Sequence, residues 1–203
     1  MLDETAQQTV VCGLRNGHRD AWTALYDGYS TDLWKYVARL VGSSSGDVAD
    51  VIQETFLAAA GSARQYDPAR GTLWAWLTGI AHHQVSIFWR QAARRSKLLQ
   101  LAESRAEELQ RWIDETDDTI DLWERRELGD LVRATLGTMS RDYAVLLTAK
   151  YLDEQSLEEI SKREGGSVDA MKSKLARARR EFRMKFGRMI RETAFAFDDS
   201  KID

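Results

Sequence analysis

One proline, Pro68, stands in 203 residues, and no glycine- or serine-rich tract is longer than Gly42 to Gly46. Proline breaks a helix interior and glycine runs supply flexible spacers, so a chain this poor in both is free to form long helices. Its apolar residues use that freedom. Trp22, Leu25, Tyr26, Tyr29, Leu33, Tyr36, Val37 and Leu40 recur at spacings of three and four, which predicts an amphipathic helix from about Asp20 to Val41. With 43% hydrophobic and 30% charged residues, the chain has apolar surface enough for one ordinary domain or two small ones, and the reading is all-α.

Gly42 to Gly46 ends the first predicted helix. Ser44, with Asp47 three residues on, resembles a capping box, and Val48, Val51, Ile52, Phe56 and Ala59 carry a second helical stripe to about Ala63. Arg64 to Thr72 contains Asp67-Pro68-Ala69-Arg70-Gly71 and reads as a loop. Thr72 is placed to cap a third helix, with Leu73, Trp76, Leu77, Ile80, Ala81 and Phe88 inward, running to about Arg95. Arg90, Arg94, Arg95 and Lys97 occupy its second half without an acid among them, and the first domain, residues 10–97, is expected to end here.

From Leu98 to Glu127 ten acids stand against four arginines, a net −6; residues 98–121 of this stretch read as an acidic linker. A second unit, 122–191, begins with Leu128, Leu131, Val132, Leu136 and Met139, breaks at Ser140 and resumes through Leu146, Leu147 and Tyr151. Ser156-Leu157-Glu158-Glu159 is a capping box opening a short helix with Ile160, and Gly165-Gly166 forces a turn. Ser167 then caps a long helix with Val168, Met171, Leu175, Ala178 and Phe182 on its buried face. A short capped helix, a glycine turn and a long basic helix spell helix-turn-helix. Residues 192–203 form a tail, frayed from Asp198.

Charge distribution says more than the overall −3. Between Val168 and Arg191 nine bases face two acids, a net +7, so an acidic middle separates basic segments as in a nucleic-acid-binding module on a solvated linker. No stretch approaches the roughly 20 apolar residues needed to span a bilayer, and Met1-Leu2-Asp3-Glu4 lacks the order of a signal peptide, so the chain reads as cytoplasmic, without membrane insertion. Cys12, the single cysteine, lies in the apolar run Val10-Val11-Cys12, where a buried inert thiol is expected.

Within a helix-turn-helix the second helix enters the major groove. Lys172, Ser173, Lys174 and Arg177 lie off the apolar stripe as base and phosphate contacts; Arg179, Arg180 and Arg183 read as phosphate binders. The first domain offers different chemistry. Tyr66, Trp74, Trp76, Phe88 and Trp89 interleave with Arg70, Arg90, Arg94 and Arg95, a mixture suited to single-stranded DNA, where stacking a base on an aromatic ring contributes about 1–3 kcal/mol. Composition alone assigns most of these rings, Trp76 and Phe88 above all, to the core.

Asp47-Val-Ala-Asp50-Val-Ile-Gln53-Glu54-Thr-Phe56-Leu57 resembles the acidic signature of sigma region 2, and Trp76-Leu77-Thr-Gly-Ile80-Ala81 its "WL-x-x-IA" helix. Leu157-Glu-Glu159-Ile160-Ser, Ser167-Val168 and Met171-Lys172-Ser173-Lys174-Leu175-Ala-Arg177-Ala178-Arg179 are similar to region 4. The match spans about Gly13 to Phe186, in order, and the chain resembles the extracytoplasmic-function sigma factors of the sigma-70 superfamily. The resemblance implies a region 2 bundle and a region 4 helix-turn-helix joined by the acidic linker, in a protein that directs RNA polymerase to promoters and is no enzyme. It implies that Asp47, Asp50, Gln53, Glu54 and Phe56 bind core polymerase. It implies minus-10 contacts from Tyr66, Arg70, Gly71, Trp74, His83, Arg90 and Arg94, and minus-35 contacts from Ser167, Lys172, Ser173, Lys174, Arg177 and Arg180. Partners are then core polymerase, promoter DNA and an anti-sigma factor; no cofactor or metal is implied.

Three departures stand out. His83 replaces the family's usual asparagine, so base preference does not transfer. Arg163-Glu164 replaces an apolar pair before the turn and Gly166 replaces another apolar residue, which predicts looser packing of the reader's first helix. A helix-turn-helix regulator independent of polymerase would explain the last third equally well and leave the first 95 residues without a role. An enzyme or metal protein would rest on His18, His82, His83 and Cys12, but adjacent histidines point about 100 degrees apart on a helix and no His-x-x-x-His or Cys-x-x-Cys spacing exists.

Overall fold

The computed structural model describes residues 4–42, 44–103 and 120–198. They form eight α-helices, α1 (Glu4–Arg15), α2 (Arg19–Val41), α3 (Ser45–Ser62), α4 (Leu73–Glu103), α5 (Ile120–Thr138), α6 (Arg141–Tyr151), α7 (Leu157–Glu164) and α8 (Val168–Asp198). Two 3-10 turns, Ala63–Gln65 and Pro68–Arg70, carry the chain from α3 to α4. There is no strand among the described residues, and no helix among them is long and apolar enough to cross a membrane. The acidic segment at 104–119 and the tail from 199 lie outside the described residues.

The helix starts follow their caps. Ser44 Oγ accepts from Asp47 N at 3.4 Å, Thr72 Oγ1 from Ala75 N at 3.1 Å and Ser167 Oγ from Ala170 N at 3.2 Å. At α7 the box is complete: Ser156 Oγ accepts from Glu159 N at 3.2 Å while Glu159 Oε2 accepts from Ser156 N at 2.7 Å. The Ser156 backbone amide, followed by the Ser156 hydroxyl, holds the Glu159 carboxyl below its ordinary pKa. Gly165 and Gly166 follow with φ of 82° and 101°, a region closed to most side chains, which explains glycine where a turn of this family would carry an apolar residue.

The helical stripes bury as their spacing predicts, with Leu25, Tyr29, Leu33, Val37 and Leu40 of α2 meeting Val48, Val51 and Ala59 of α3 and Leu73, Leu77, Ala81 and Val85 of α4. Some residues of the predicted stripes do not. Tyr26, Leu128 and Tyr151 are each about half exposed, on the margins of their stripes; Tyr26 meets only the edge of α3 at Phe56 and Tyr151 only the Arg179 side chain of α8. α4 also continues past the predicted end near Arg95 to Glu103.

Helix α1 was not foreseen. It docks Val10 and Leu14 on the start of α2, and the approach is close enough that a Cβ on Gly13 would lie 2.5 Å from the Ala21 methyl. Gly13→Ala is therefore expected to destabilise the fold by about 1–3 kcal/mol despite alanine's better helix propensity, read as a lowered urea midpoint. Cys12 lies on the outer face of this helix, exposed rather than buried, with Asn16 Nδ2 3.8 Å from its Sγ.

The first and second halves share one core. α5 lies against both α2 and α4, and Leu136, Met139, Val145 and Leu146 join the cluster built by α2, α3 and α4. The contact is tight at Gly137, where an added Cβ would stand 2.7 Å from Trp89 Cδ1 and 3.1 Å from Val85 Cγ1.

Candidate nucleic-acid and polymerase interfaces

The basic helix presents two faces. Met171, Leu175 and Ala178 are buried against α6 and α7, which turns Lys172, Ser173, Arg177 and Arg180 outward, all exposed, with Ser167 exposed at the cap. Lys174 differs from the others: it is half-buried and its Nζ lies 2.6 Å from Asp142 Oδ2. Burial raises the Asp142 carboxyl, and the Lys174 ammonium and Arg141 guanidinium outweigh it, leaving that pKa below the ordinary value. Arg179 is also engaged, donating to Tyr151 Oη at 2.5 Å with its guanidinium 5.5 Å from the ring. Lys172 has only an exposed pair with Asp169 at 3.2 Å, the kind that contributes little.

On α3, Asp47, Asp50, Gln53 and Glu54 line one exposed, acidic face, and Leu57 extends it. Phe56 is half-buried at its edge, tilted against Tyr26 with ring centroids 5.1 Å apart. A surface that is acidic, with exposed Leu57 and Tyr26 at its margin, suits a basic protein surface better than nucleic acid.

The loop and α4 divide the remaining candidates. Arg70, Gly71, His83, Arg90 and Arg94 are exposed, and Arg95 and Lys97 lie where side chains are not described. Tyr66 and Trp74 are not free rings: they are 6% and 5% exposed. Tyr66 Oη donates to Gly71 O at 3.0 Å, fixing the loop, while Arg15 Nη2 donates to Tyr66 O at 2.6 Å. Trp74 stacks on Tyr29, centroids 6.1 Å apart, and its Nε1 donates to Glu164 Oε1 at 3.2 Å. Trp76 and Phe88 are half-buried, in line with their assignment to the core.

Glu164 and Arg163 are both engaged at the end of α7. Glu164 Oε2 also pairs with Arg141 Nη2 at 2.5 Å, and the Arg163 guanidinium lies 5.9 Å over the Trp74 ring. The polar pair is turned toward α4, where an apolar pair would have faced the reader's own core. Sequence reasoning registered the departure and missed its destination.

It also missed His82, beside the exposed His83. His82 Nε2 lies 2.8 Å from Met139 O and Nδ1 3.0 Å from Tyr36 Oη. A carbonyl can only accept, so Nε2 carries the proton and Nδ1 accepts from the tyrosine, which is the neutral ring. Burial pushes the ring's pKa below 6.5; the Met139 carbonyl opposes, and Arg141, His83 and Lys185 add to the lowering. Burial likewise raises the Tyr36 hydroxyl. Because the folded pKa is depressed, this histidine's share of stability is complete above the unfolded value of 6.5 and is lost as pH falls below it, where the unfolded chain takes up a proton the folded chain resists. The urea midpoint is expected to fall between about pH 7.5 and about pH 5.5, and His82→Gln to flatten that fall.

Among the described residues no group of three His, Cys, Asp or Glu side chains could hold a metal ion. The sigma-70 region 2 family matches residues 25–95 and the sigma-70 region 4 family residues 129–182. The ECF RNA polymerase sigma-E factors of Salmonella typhimurium and Escherichia coli are each 28% identical over 195 residues, covering 94% of this chain and all of theirs. The ECF RNA polymerase sigma factor SigE of Mycolicibacterium smegmatis is 24% identical over 174 residues, 86% of this chain and 65% of that protein. Among solved structures, CnrH in complex with the cytosolic domain of CnrY is 22% identical, with 88% of this chain and 96% of that one covered at a TM-score of 0.45. Two sigma-70 regions in order, with the sigma-E factors matched over their full length, place this chain in the sigma-70 family as an extracytoplasmic-function sigma factor, which directs transcription initiation.

Proposed function

We propose that this sigma factor works as a bipartite reader carried by core RNA polymerase. Region 2, residues 10–97, docks on the polymerase through Asp47, Asp50, Gln53, Glu54 and Phe56. Its loop and α4 take the melted minus-10 strand through Tyr66, Arg70, Gly71, Trp74, His83, Arg90 and Arg94. Region 4, residues 122–191, reads the minus-35 duplex through Ser167, Lys172, Ser173, Lys174, Arg177 and Arg180. Residues 98–121, which include the end of α4 and the start of α5, link the two, and 192–203, which begin within α8, follow as a tail.

The observation that carries this reading is the outward, exposed row Lys172, Ser173, Arg177 and Arg180 on a helix whose other face is buried behind a capped glycine turn. Each region alone binds DNA weakly, and polymerase holds both at a fixed separation so that two weak contacts become one selective contact by effective concentration. The net charge of −3 limits DNA binding by the free factor. An anti-sigma protein seated between the regions is the natural inhibitor. A cleft of about 850 Å³ between them, walled by Tyr29, Tyr36, Trp74, Arg39 and Arg163, offers mixed aromatic and charged surface for a peptide segment. The protein works in the cytoplasm, where polymerase and promoters are.

Run-off transcription with bacterial core polymerase and a promoter-length DNA library tests this. Discrete transcripts that need the factor and share two spaced upstream elements are the expected result. DNA binding without polymerase-dependent initiation would move the protein to a regulator independent of polymerase.

A further inference from the structure

Arg15 closes α1 and reaches across to the loop that leads from α3 into α4. Its Nη2 donates to Tyr66 O at 2.6 Å, 51 residues along the chain. The carbonyl it finds is one the loop does not satisfy itself. Tyr66 stands between the two 3-10 turns in an extended conformation, φ −64° and ψ 127°. Its N–H closes the first turn onto Ala63 O at 3.2 Å, and the second turn closes from Arg70 N to Asp67 O at 3.0 Å, so Tyr66 O belongs to neither. A backbone carbonyl on a buried residue needs a donor from somewhere, and Pro68 next along has no N–H to offer.

The other fastenings are local. Asp67 Oδ1 accepts from Ala69 N at 3.0 Å and Tyr66 Oη donates to Gly71 O at 3.0 Å, bonds that span two and five residues and move with the loop as a body. The bond from Arg15 ties that body to a helix that is itself fixed. Val10 and Leu14 bury α1 against the start of α2, and a Cβ on Gly13 would lie 2.5 Å from the Ala21 methyl, so α1 has no room to slide. A guanidinium donating to a carbonyl is charge-assisted and stronger than a neutral pair, and a cation is well placed in the last turn of a helix.

We infer that Arg15 is a positioning residue for minus-10 reading: from α1 it fixes the loop that carries Tyr66, Arg70 and Gly71 in the shape that receives an unstacked base. This rests on the sigma-factor reading above and deepens it. Arg15 acts through the Tyr66 backbone and not on the DNA. Arg70 and Gly71 stay exposed on the held loop, available to the strand. A loop already ordered loses little freedom when a base enters, so the bond contributes selectivity at the one position the loop receives. The acidic face of α3 and the basic face of α8 lie on other elements, and their contacts do not depend on it.

The test uses the full chain assembled with core polymerase and single strands of the minus-10 element from promoters selected by run-off transcription. 2-Aminopurine placed at each position in turn brightens where the base leaves the stack, which marks the position the loop receives. Arg15→Met and Arg15→Gln, made together so that one folded variant suffices, are expected to reduce base preference at that position about tenfold. Preference at the other minus-10 positions and at the minus-35 element, and affinity for core polymerase, are expected to stay within about twofold, because a lost loop anchor acts only where the loop acts. Arg15→Lys, which keeps a charged donor, should retain the larger part of the preference. Hydrogen exchange at residues 66–71 of the free chain should quicken about tenfold in the first two variants, with α2 and α4 unchanged. Full preference in a folded Arg15→Met or Arg15→Gln chain overturns the inference, and so does an equal loss at every position, which is the mark of a merely structural role. An unsubstituted holoenzyme in which no base brightens removes the minus-10 reading of the loop and the inference with it; a base that brightens and is read equally well without Arg15 removes the inference alone.

Discussion

Alanine in place of Leu77 is expected to lower the free energy of unfolding by about 3 kcal/mol, within the ~2–5 kcal/mol range of buried leucine truncations. Leu77 is fully buried on α4, which packs against both α2 and α3. Alanine is the better helix former, so propensity works against the loss and the whole deficit comes from removed methyl groups and the cavity they leave. For a chain of this size the midpoint of thermal unfolding should fall by roughly 6–12 °C, at about 2–4 °C per kcal/mol. Leu77→Met, which keeps the volume, should cost less than about 1.5 kcal/mol. Paired urea and thermal melts check both. A loss below about 1 kcal/mol for alanine would mean that α4 does not hold the position described.

What was legible in the sequence is what depends on near neighbours along the chain. Spacings of three and four placed Leu25, Tyr29, Leu33, Leu77, Met171 and Leu175 in the core, and capping side chains set the starts of α3, α4, α7 and α8. Resemblance supplied the order of the regions. The misses have a common cause. A stripe says that a face is covered but not how completely, so Tyr26, Leu128 and Tyr151 could be assigned inward although each stays about half exposed. Among its described side chains helix α1 has two buried apolar anchors, Val10 and Leu14, too few for a periodic signal, and Cys12 was misplaced with it.

The meeting of the two regions was the least legible feature, because nothing within α4 says what will meet His82 and Ser86, or that Arg141 will donate to a Thr78 hydroxyl that already donates to Trp74 O at 2.8 Å. Mid-helix threonine and serine could equally bond the preceding turn, as Thr55 does to Val51 O at 2.6 Å. The one available signal was Arg163-Glu164, charged where a resemblance called for apolar residues. A departure of that kind marks a position whose partner lies elsewhere in the fold, here Trp74 and Arg141.

Lys172→Ala and Arg180→Ala should separate reading from holding. Both side chains are exposed on α8, and Lys172 gives up only an exposed pair with Asp169, so each substitution should change stability by less than about 0.5 kcal/mol. Lys172 lies in the first turns of the helix, the part that reaches base edges in a major groove, whereas Arg180 lies more than two turns further on, where the groove wall is phosphate. Loss of a base contact costs about 1–3 kcal/mol, roughly five- to 150-fold, at the preferred minus-35 sequence and almost nothing where that base pair is already changed. Loss of one phosphate contact weakens every sequence alike and reduces the slope of log affinity against log salt by about 0.9. Holoenzyme binding to a randomised minus-35 library at two salt concentrations measures both quantities. Lys172→Ala should flatten preference at one position with the salt slope falling by no more than one contact; Arg180→Ala should leave preference intact and lower the slope. If Lys172→Ala keeps the full preference, or Arg180→Ala redistributes it, region 4 sits in the groove in another register and its base contacts come from a different face of α8.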